Sequence, residues 1–253
     1  MLNIVIPMAG AGSRFAKAGY SDPKPLIKVH QTEMILAVIR NLAPKDRDHR
    51  FIFIAQEEHI RRYHLNEKLS AWAPNSVVIA INGITEGAAC TALFAKDLIN
   101  THDALMIANS DQYIDIDIEE YLNFGDENAF DGLIMTMKAN DPKWSYVGLD
   151  DNKLVNNVVE KEVISDEATV GIYNFKHGRD FVRAAEQMIA SNLRVNGEFY
   201  VAPTYNQLIQ EQAKVGIFNI GSEANGMYGL GIPADLDLFL QNPLSHQFKA
   251  SQK

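Results

Sequence analysis

The N-terminal stretch from Leu2 to Val29 limits most tightly how this chain folds. Leu2-Asn3-Ile4-Val5-Ile6-Pro7-Met8 is a short apolar run rich in branched residues, the pattern of a buried strand. It runs directly into Ala9-Gly10-Ala11-Gly12-Ser13-Arg14-Phe15. Two glycines around one small residue permit a tight turn and a close approach of backbone to a ligand. Ser13 and Arg14 then open a helical turn, and the backbone N–H groups of such a loop favour an anion. Arg14 adds a planar fork of donors suited to phosphate. In Asp22-Pro23-Lys24-Pro25-Leu26 a lysine lies between two prolines. Pro25 pushes Lys24 toward extended geometry, so the lysine stem starts from a stiff base. A glycine loop and two cations just after a first strand point to a triphosphate site. The glycine spacing is not the dinucleotide fingerprint, because Phe15 stands where the third glycine belongs. It is not a P-loop either, since no Gly-Lys-Ser/Thr follows. Taken alone, the glycines also fit a purely structural turn.

Beyond this stretch, strand and helix patterns alternate. Met34, Ile35, Val38, Ile39 and Leu42 form one helical stripe between Glu33 and Leu42, a core-packing face. Phe51–Ala55 and Val77–Ile81 are further buried strands. Gln56 sits at the carboxyl end of the first of these, opening a polar helix that runs to about Ser70. Thr85–Leu93 is a loop entering a helix that continues to about Asn100. Leu105–Ala108 is a strand ending in Asn109-Ser110-Asp111-Gln112. This alternation predicts an α/β fold with a largely parallel sheet and helices on both faces. Ligands of such sheets bind beyond the carboxyl ends of the strands. Gly10–Arg14, Gln56 and the Thr85 segment then share one rim, and Asp111 is a hard oxygen ligand placed for Mg²⁺. Small residues at Gly87 and Ala88 admit a flat ring or, equally, a tight helix–sheet contact. Glu86 is placed to accept from an exocyclic amine, which suits cytosine better than uracil. Asp115-Ile116-Asp117 spells Asp-x-Asp, but it falls past the strand and, with Glu119 and Glu120, is a charged helix start.

From Asp131 the texture changes. Strands are expected at Gly132–Met137, Lys143–Leu149, Leu154–Val159 and Ala168–Phe175, with Glu160-Lys161 after the third. By itself a Glu-Lys pair is an ordinary solvated surface pair. A helix follows at Arg179–Ser191, then the polar cluster Arg194–Tyr200, a helix at Ala202–Gln212 and a strand at Val215–Ile220. Glu198 is either a ligand contact or a helix cap. After Met227–Pro233 an acidic helix covers Ala234–Leu240, and the polar tail from Asn242 is expected to fray. Without repeats or linkers the chain is one domain over 1–253, with a nucleotide-binding part at 1–130 and an acceptor-binding part at 131–241.

A net charge of −9 argues against general nucleic-acid binding, which needs a basic face. The single Cys90 excludes an intrachain disulfide and fits a reducing cytoplasm. No apolar run approaches the length of a membrane span, and the N-terminus lacks a cationic leader region.

Gly10-x-Gly12-x-Arg14 followed by Pro23-Lys24-Pro25-Leu26 resembles the signature of the nucleotidylyltransferases that activate sugar phosphates and similar small phosphates. The resemblance extends with landmarks in order to Pro233, and it implies a GT-A-like, Rossmann-type mixed, mostly parallel sheet flanked by helices. It implies that Met8, Ala9, Gly10, Ala11, Gly12 and Ser13 hold a nucleoside triphosphate together with Arg14. Lys24 acts at the phosphates, Gln56, Asn109 and Ser110 line the nucleotide rim, and Glu86, Gly87 and Ala88 meet the base. Asp111 holds Mg²⁺. Lys161 meets the acceptor phosphate or the developing charge, while Gly171, Glu198 and Tyr200 belong to the acceptor pocket. Arg14, Lys24 and Lys161 are thus the catalytic cations.

Two positions depart from the family pattern. Ala88 stands where threonine is common. Gly229 stands where relatives carry the aspartate of Trp-x-Asp-Ile-Gly-Thr-Pro, their second metal ligand. An extra water, Glu198 or another carboxylate then completes the metal site. The strings Glu86-Gly87-Ala88-Ala89-Cys90-Thr91, Asn109-Ser110-Asp111-Gln112 and Asn196-Gly197-Glu198-Phe199-Tyr200 are similar to those of small capsule- and lipopolysaccharide-locus members, among them cytidylyltransferases of phosphoglutamine. The implied reaction moves a nucleoside monophosphate, CMP favoured, from its triphosphate to a sugar phosphate, phosphoglutamine or similar acceptor, with pyrophosphate release. Two readings from other classes stay open: a GT-A glycosyltransferase using a nucleotide sugar, and a non-catalytic nucleotide-binding protein. The oligomeric state is open, a homodimer included.

Overall fold

β1 (Leu2–Pro7) runs through the middle of the molecule with a parallel strand on each side. A computed structural model describes residues 1–249. After β1 come α1 (Ser13–Lys17), a short antiparallel pair β2 (Lys28–Val29) and β3 (Thr32–Glu33), α2 (Met34–Leu42), β4 (His49–Gln56), α3 (Glu57–Tyr63), α4 (Leu65–Trp72) and β5 (Val77–Ile81). Next are α5 (Ala88–Ala92), α6 (Lys96–Ile99), β6 (Ala104–Ala108), β7 (Gln112–Ile114), α7 (Ile118–Glu127), β8 (Gly132–Lys138), β9 (Ser145–Leu149), β10 (Val155–Glu160) and β11 (Glu167–Phe175). The chain continues through α8 (Gly178–Ala190), α9 (Tyr205–Gln210), β12 (Val215–Glu223), β13 (Gly226–Gly229) and α10 (Pro233–Gln241).

The strands form a mixed, mostly parallel sheet in the order β5-β4-β1-β6-β11-β8-β12-β13-β7, with β9 joining β11 and β10 joining β9. The β5-β4-β1-β6 half is parallel throughout, as the strand–helix alternation predicts. β11 is the reversal, antiparallel to both β6 and β8. Side chains on a strand alternate between faces. Leu2, Ile4, Ile6, Phe51 and Phe53 therefore enter one core layer, while Val5, Ile52 and Ile54 enter the other. Both faces of β1 and β4 are covered, which is why those strands read as unbroken apolar runs. A third apolar cluster joins Phe15 of α1, Val29, Tyr113, Tyr228 and Phe239. It anchors the glycine turn to the C-terminal helix.

Four local expectations are corrected. The polar helix ending near Ser70 is two helices, broken at His64, which sits in the left-handed region at φ 52° and donates its N–H to Ile60 O. The helix entered from the Thr85 loop and expected to continue to about Asn100 is interrupted by a 3₁₀ turn at Leu93–Ala95. Ala92, Ala95 and Ile99 still face the core, at the i, i+3, i+7 spacing of one helical face. Lys24 is not extended: it opens a 3₁₀ turn, Lys24–Leu26, and Pro23 before it is the extended residue at ψ 146°. The turn closes through Leu26 N–H to Pro23 O at 2.8 Å, a bond that needs no N–H from Pro25. The tail does not fray over Pro243–Phe248. That segment is a 3₁₀ helix with Ser245 and Phe248 buried, and Thr32 Oγ1 donates to Phe248 O at 3.2 Å. Residues 250–253 of that expectation lie outside the described residues. The discounted Asp-x-Asp behaves as expected, since Asp117 caps α7 by accepting from Glu119 N–H at 3.1 Å. Among the described residues no helix is long and apolar enough to cross a membrane.

Candidate active site

At the carboxyl ends of β1 and β6 lies an open cleft of about 700 Å³. Gly10–Arg14 and Lys24 form one wall, Asn109, Asp111 and Gln112 the floor, and Lys143, Trp144 and Asp235 the far wall. Several bonds hold the glycine loop in place. Met8 N–H continues the strand pairing to Ile54 O at 2.9 Å. Gln56 Nε2 donates to Ala9 O and to Gly83 O, each at 2.8 Å. Gly12, at φ 59°, starts α1 from a left-handed conformation that suits glycine. Phe15, 1% exposed, pins the other end in the third apolar cluster. What remains exposed between these anchors is Gly10, Ala11, Ser13 and Arg14.

Lys24 Nζ donates to Asp111 Oδ2 at 2.8 Å, with the two side chains 24% and 21% exposed. Leu230 N–H donates to Asp111 O at 2.8 Å and fixes the aspartate's backbone against the residue that follows β13. The opposite lip is built by Gly87. Its O accepts from the hydroxyls of Thr85 at 3.0 Å and Thr91 at 3.1 Å. Phe199 N–H donates to Glu86 O at 2.7 Å and Ala89 N–H to Phe199 O at 3.0 Å. These paired bonds clamp residues 86–89 to the 195–199 turn and bring Glu198 to the cleft.

Charges of both signs crowd the far wall. Lys143 is ion-paired with Glu223 at 2.8 Å. Burial holds the Asp235 carboxyl above the usual carboxylate range, against the pull of Lys143 and Arg14. Two donors facing this region lack partners among the described residues, Gln112 Nε2 and Trp144 Nε1.

A family model described as nucleotidyl transferase matches residues 4–198. The chain belongs to the nucleotidyl transferase family. A nucleoside-diphosphate-sugar pyrophosphorylase from Vibrio cholerae superposes with a TM-score of 0.77 at 25% identity, over 94% of this chain and 100% of that one. The inositol-1-phosphate CTP transferase of T. maritima shares the fold, with a TM-score of 0.71 at 14% identity over 97% and 94% of the two chains. In sequence, the catalytic subunit beta of mannose-1-phosphate guanylyltransferase from Drosophila melanogaster is 25% identical over 177 residues, 68% of this chain and 47% of that one. The chain spans about half the length of the relatives it matches in sequence.

Within this nucleotidyl transferase fold, the residues expected at the site fall into three groups. Ala9, Gly10, Ala11, Gly12, Ser13, Arg14, Lys24, Gly87, Ala88, Asn109, Asp111 and Glu198 line the one cleft. Met8 and Ser110 are buried directly behind it, Gln56 is a strut, and Gly171 makes room beneath the Asn109 amide, where a methyl group would collide. Glu86, Lys161 and Tyr200 are not among the lining residues. Glu86 pairs with Arg194 at 3.2 Å, and Arg194 stacks over the Phe199 ring at 4.2 Å. Lys161 bonds Tyr200 Oη at 2.5 Å, which raises its ammonium above the usual lysine range. It joins the cleft only through its neighbours, since its N–H donates to Trp144 O at 3.0 Å. Glu198 caps no helix. It closes the Val195–Glu198 turn. Sequence reasoning missed Gln112, Lys143, Trp144 and Asp235. The one signal for Asp235 was the vacancy at Gly229.

Among the described residues no group of three or more His, Cys, Asp or Glu side chains is placed to hold a metal by itself. Asp111 and Asp235 nevertheless fit Mg²⁺, which takes one or two carboxylates and completes its shell with phosphate oxygens and water. The space beside them also fits. Gly231 leaves open a position 2.5 Å from Asp111 Oδ2 that any Cβ would fill.

Proposed function

We propose that this chain transfers a nucleoside monophosphate from a nucleoside triphosphate to a small phosphorylated acceptor and releases pyrophosphate. Residues 1–130 take the nucleotide and 131–241 the acceptor. The observation that carries this reading is the Lys24–Asp111 pair set beside the Gly10–Arg14 loop in one cleft. In the reaction an acceptor phosphate oxygen attacks the α-phosphorus, the new P–O bond forms, and the bond to the β-phosphate oxygen breaks. A phosphate monoester is mostly dianionic near pH 7, its second pKa being about 6, so no general base is required. The obstacle is repulsion between two polyanions. Positioning and charge neutralisation therefore supply the rate. Arg14 meets the departing pyrophosphate, Lys24 the triphosphate, and Lys143 and Lys161 the acceptor side. Asp111 would hold Mg²⁺, which when bound neutralises and orients phosphate oxygens.

CTP is the proposed donor, and a sugar phosphate or phosphoglutamine made for capsule or surface polysaccharide the proposed acceptor. The capsule-locus strings support this finer reading, whereas the base preference draws nothing from Glu86, which is turned to Arg194. A pyrophosphate-release screen tests it: CTP, UTP, dTTP, ATP and GTP against phosphorylated sugars, phosphocholine and phosphoglutamine with Mg²⁺. Release with at least one pair, strongest with CTP, is expected. No release with any pair, or a nucleoside diphosphate released from a nucleotide sugar, overturns the reading.

A further inference from the structure

We propose that Asp235, in the first turn of α10, supplies the second carboxylate to the divalent cation, in place of any side chain at position 229. This assignment rests on the nucleotidyl-transfer reading above.

Gly229 ends β13 and pairs with Gln112 of β7, the residue after Asp111. It has no side chain to offer a cation. A Cβ at Gly229 would lie 3.2 Å from Asp235 Oδ2, so the carboxylate of Asp235 already fills the space that a side chain from 229 would enter. Two residues on, a Cβ at Gly231 would lie 2.5 Å from Asp111 Oδ2. The ribbon Gly229-Leu230-Gly231 thus passes between the two carboxylates and keeps both flanks bare. Leu230 N–H binds Asp111 O and ties that ribbon to the first carboxylate. The two acids reach one place from different elements, Asp111 from the strand end and Asp235 from the helix.

Asp235 is partly buried, lines the cleft, and makes no side-chain hydrogen bond or ion pair among the described residues. A carboxylate withdrawn from water without a partner is costly, and a cation relieves that cost. Among the described residues Asp111 Oδ1 has no partner, while Oδ2 accepts from Lys24. A second observation points to a bound anion at the same place. Gln112 lines the cleft, is 6% exposed, and its Nε2 has no partner among the described residues. Buried amides of this kind are nearly always paired. A ligand oxygen bound in the cleft would supply the missing acceptor.

The test is direct Mn²⁺ binding to the full chain, read from the loss of the free aqueous Mn²⁺ signal in electron paramagnetic resonance. It uses wild type, Asp111→Asn, Asp235→Asn and the double variant Gly229→Asp/Asp235→Ala, whose alanine vacates the space beside position 229, each checked for folding by circular dichroism. Asp235→Asn and Asp111→Asn are each expected to weaken Mn²⁺ binding by roughly tenfold or more, the scale already reached by outer partners of metal sites. The double variant returns a carboxylate to the same space from the strand and is expected to regain most of the lost affinity. Wild-type affinity in Asp235→Asn beside loss in Asp111→Asn overturns the assignment and leaves the proposed reaction standing. No Mn²⁺ uptake by wild type overturns it too, and the pyrophosphate screen then judges the reaction separately.

Discussion

Lys24 Nζ donates to Asp111 Oδ2 at 2.8 Å, joining two residues 87 positions apart across the mouth of the cleft. A partly exposed pair of this kind contributes about 1 kcal/mol or less to folding. Its value lies elsewhere. The 3₁₀ turn at Lys24–Leu26 and the bond to Asp111 hold an ammonium beside the glycine loop before any phosphate arrives. Preorganised charge of this sort costs no rearrangement when the transition state forms.

Replacement of Lys24 by alanine therefore separates stability from turnover. Lys24→Ala is expected to melt within a few degrees of wild type, because only a partly exposed pair is lost. Turnover is expected to fall on the order of a hundredfold or more, the loss of roughly 3 to 4 kcal/mol from one preorganised donor. Steady-state pyrophosphate release with a melting curve on the same sample checks both. Near-normal turnover would remove Lys24 from the reaction.

Two glycines of the cleft are expected to respond in opposite ways to the same added methyl group. Gly87 lies at φ 129°, and a Cβ there would drive into the backbone of Phe199, which cannot swing aside. Backbone strain of this type costs about 1–3 kcal/mol before the clash is counted. Gly87→Ala should therefore lower the melting midpoint by roughly 2–12 °C, at about 2–4 °C per kcal/mol for a chain of this size. Gly10 has open space around its Cβ position and no positive φ. Gly10→Ala should keep its stability within about 0.5 kcal/mol. Equal melting of the two variants would contradict the clamp between residues 86–89 and 199.

Glu160 gives a pH signature. Burial raises its carboxyl above the ordinary value of 4.5, partly opposed by the hydrogen bond that Ser145 Oγ donates to it. A raised carboxyl binds its proton more tightly folded than unfolded. Its favourable contribution is complete below pH 4.5 and is lost as pH rises through the folded value. Glu160→Gln keeps the shape and stays neutral. Unfolding midpoints of the two proteins should converge in acid, and wild type should fall behind as pH rises toward 7. A wild type that gains on the variant with rising pH would show the opposite sign.

Much of this was legible in the chain, and the failures share a cause. β1, β4 and β6 were visible because their burial on both faces demands uninterrupted branched residues. Asp111 was visible because it ends such a strand. The break at His64 was not, since nothing in Arg62-Tyr63-His64-Leu65 forbids a continuous helix and the left-handed turn is imposed by packing. Asp235 has the look of an ordinary acid in the first turn of a helix. Only the closing of β13 against β7 brings it, together with Gly229, to Asp111. The ion pair of Glu86 was hidden for the converse reason: its sequence neighbours belong to the cleft, but its partner Arg194 is remote in sequence.

Lys161 tests how far the acceptor side extends beyond the cleft lining. The residue sits at φ 58°, its ammonium bonded to Tyr200 Oη and 4.7 Å from that ring's centre. No carboxylate pairs with it among the described residues, so its charge remains available to an incoming phosphate. Lys161→Gly removes the charge while glycine adopts the same φ without strain. A charge-assisted hydrogen bond contributes about 1.5–3 kcal/mol, so kcat/KM for the acceptor should fall by roughly ten- to a hundredfold. The KM for the triphosphate should stay near wild type, because Arg14 and Lys24 are untouched. Tyr200→Phe keeps the ring under the ammonium and removes only the hydroxyl that aims it, so a loss of a few-fold is expected. If Lys161→Gly matches wild type with every acceptor, Tyr200 satisfies the lysine as a surface cation, and the acceptor site ends at Trp144 and Lys143.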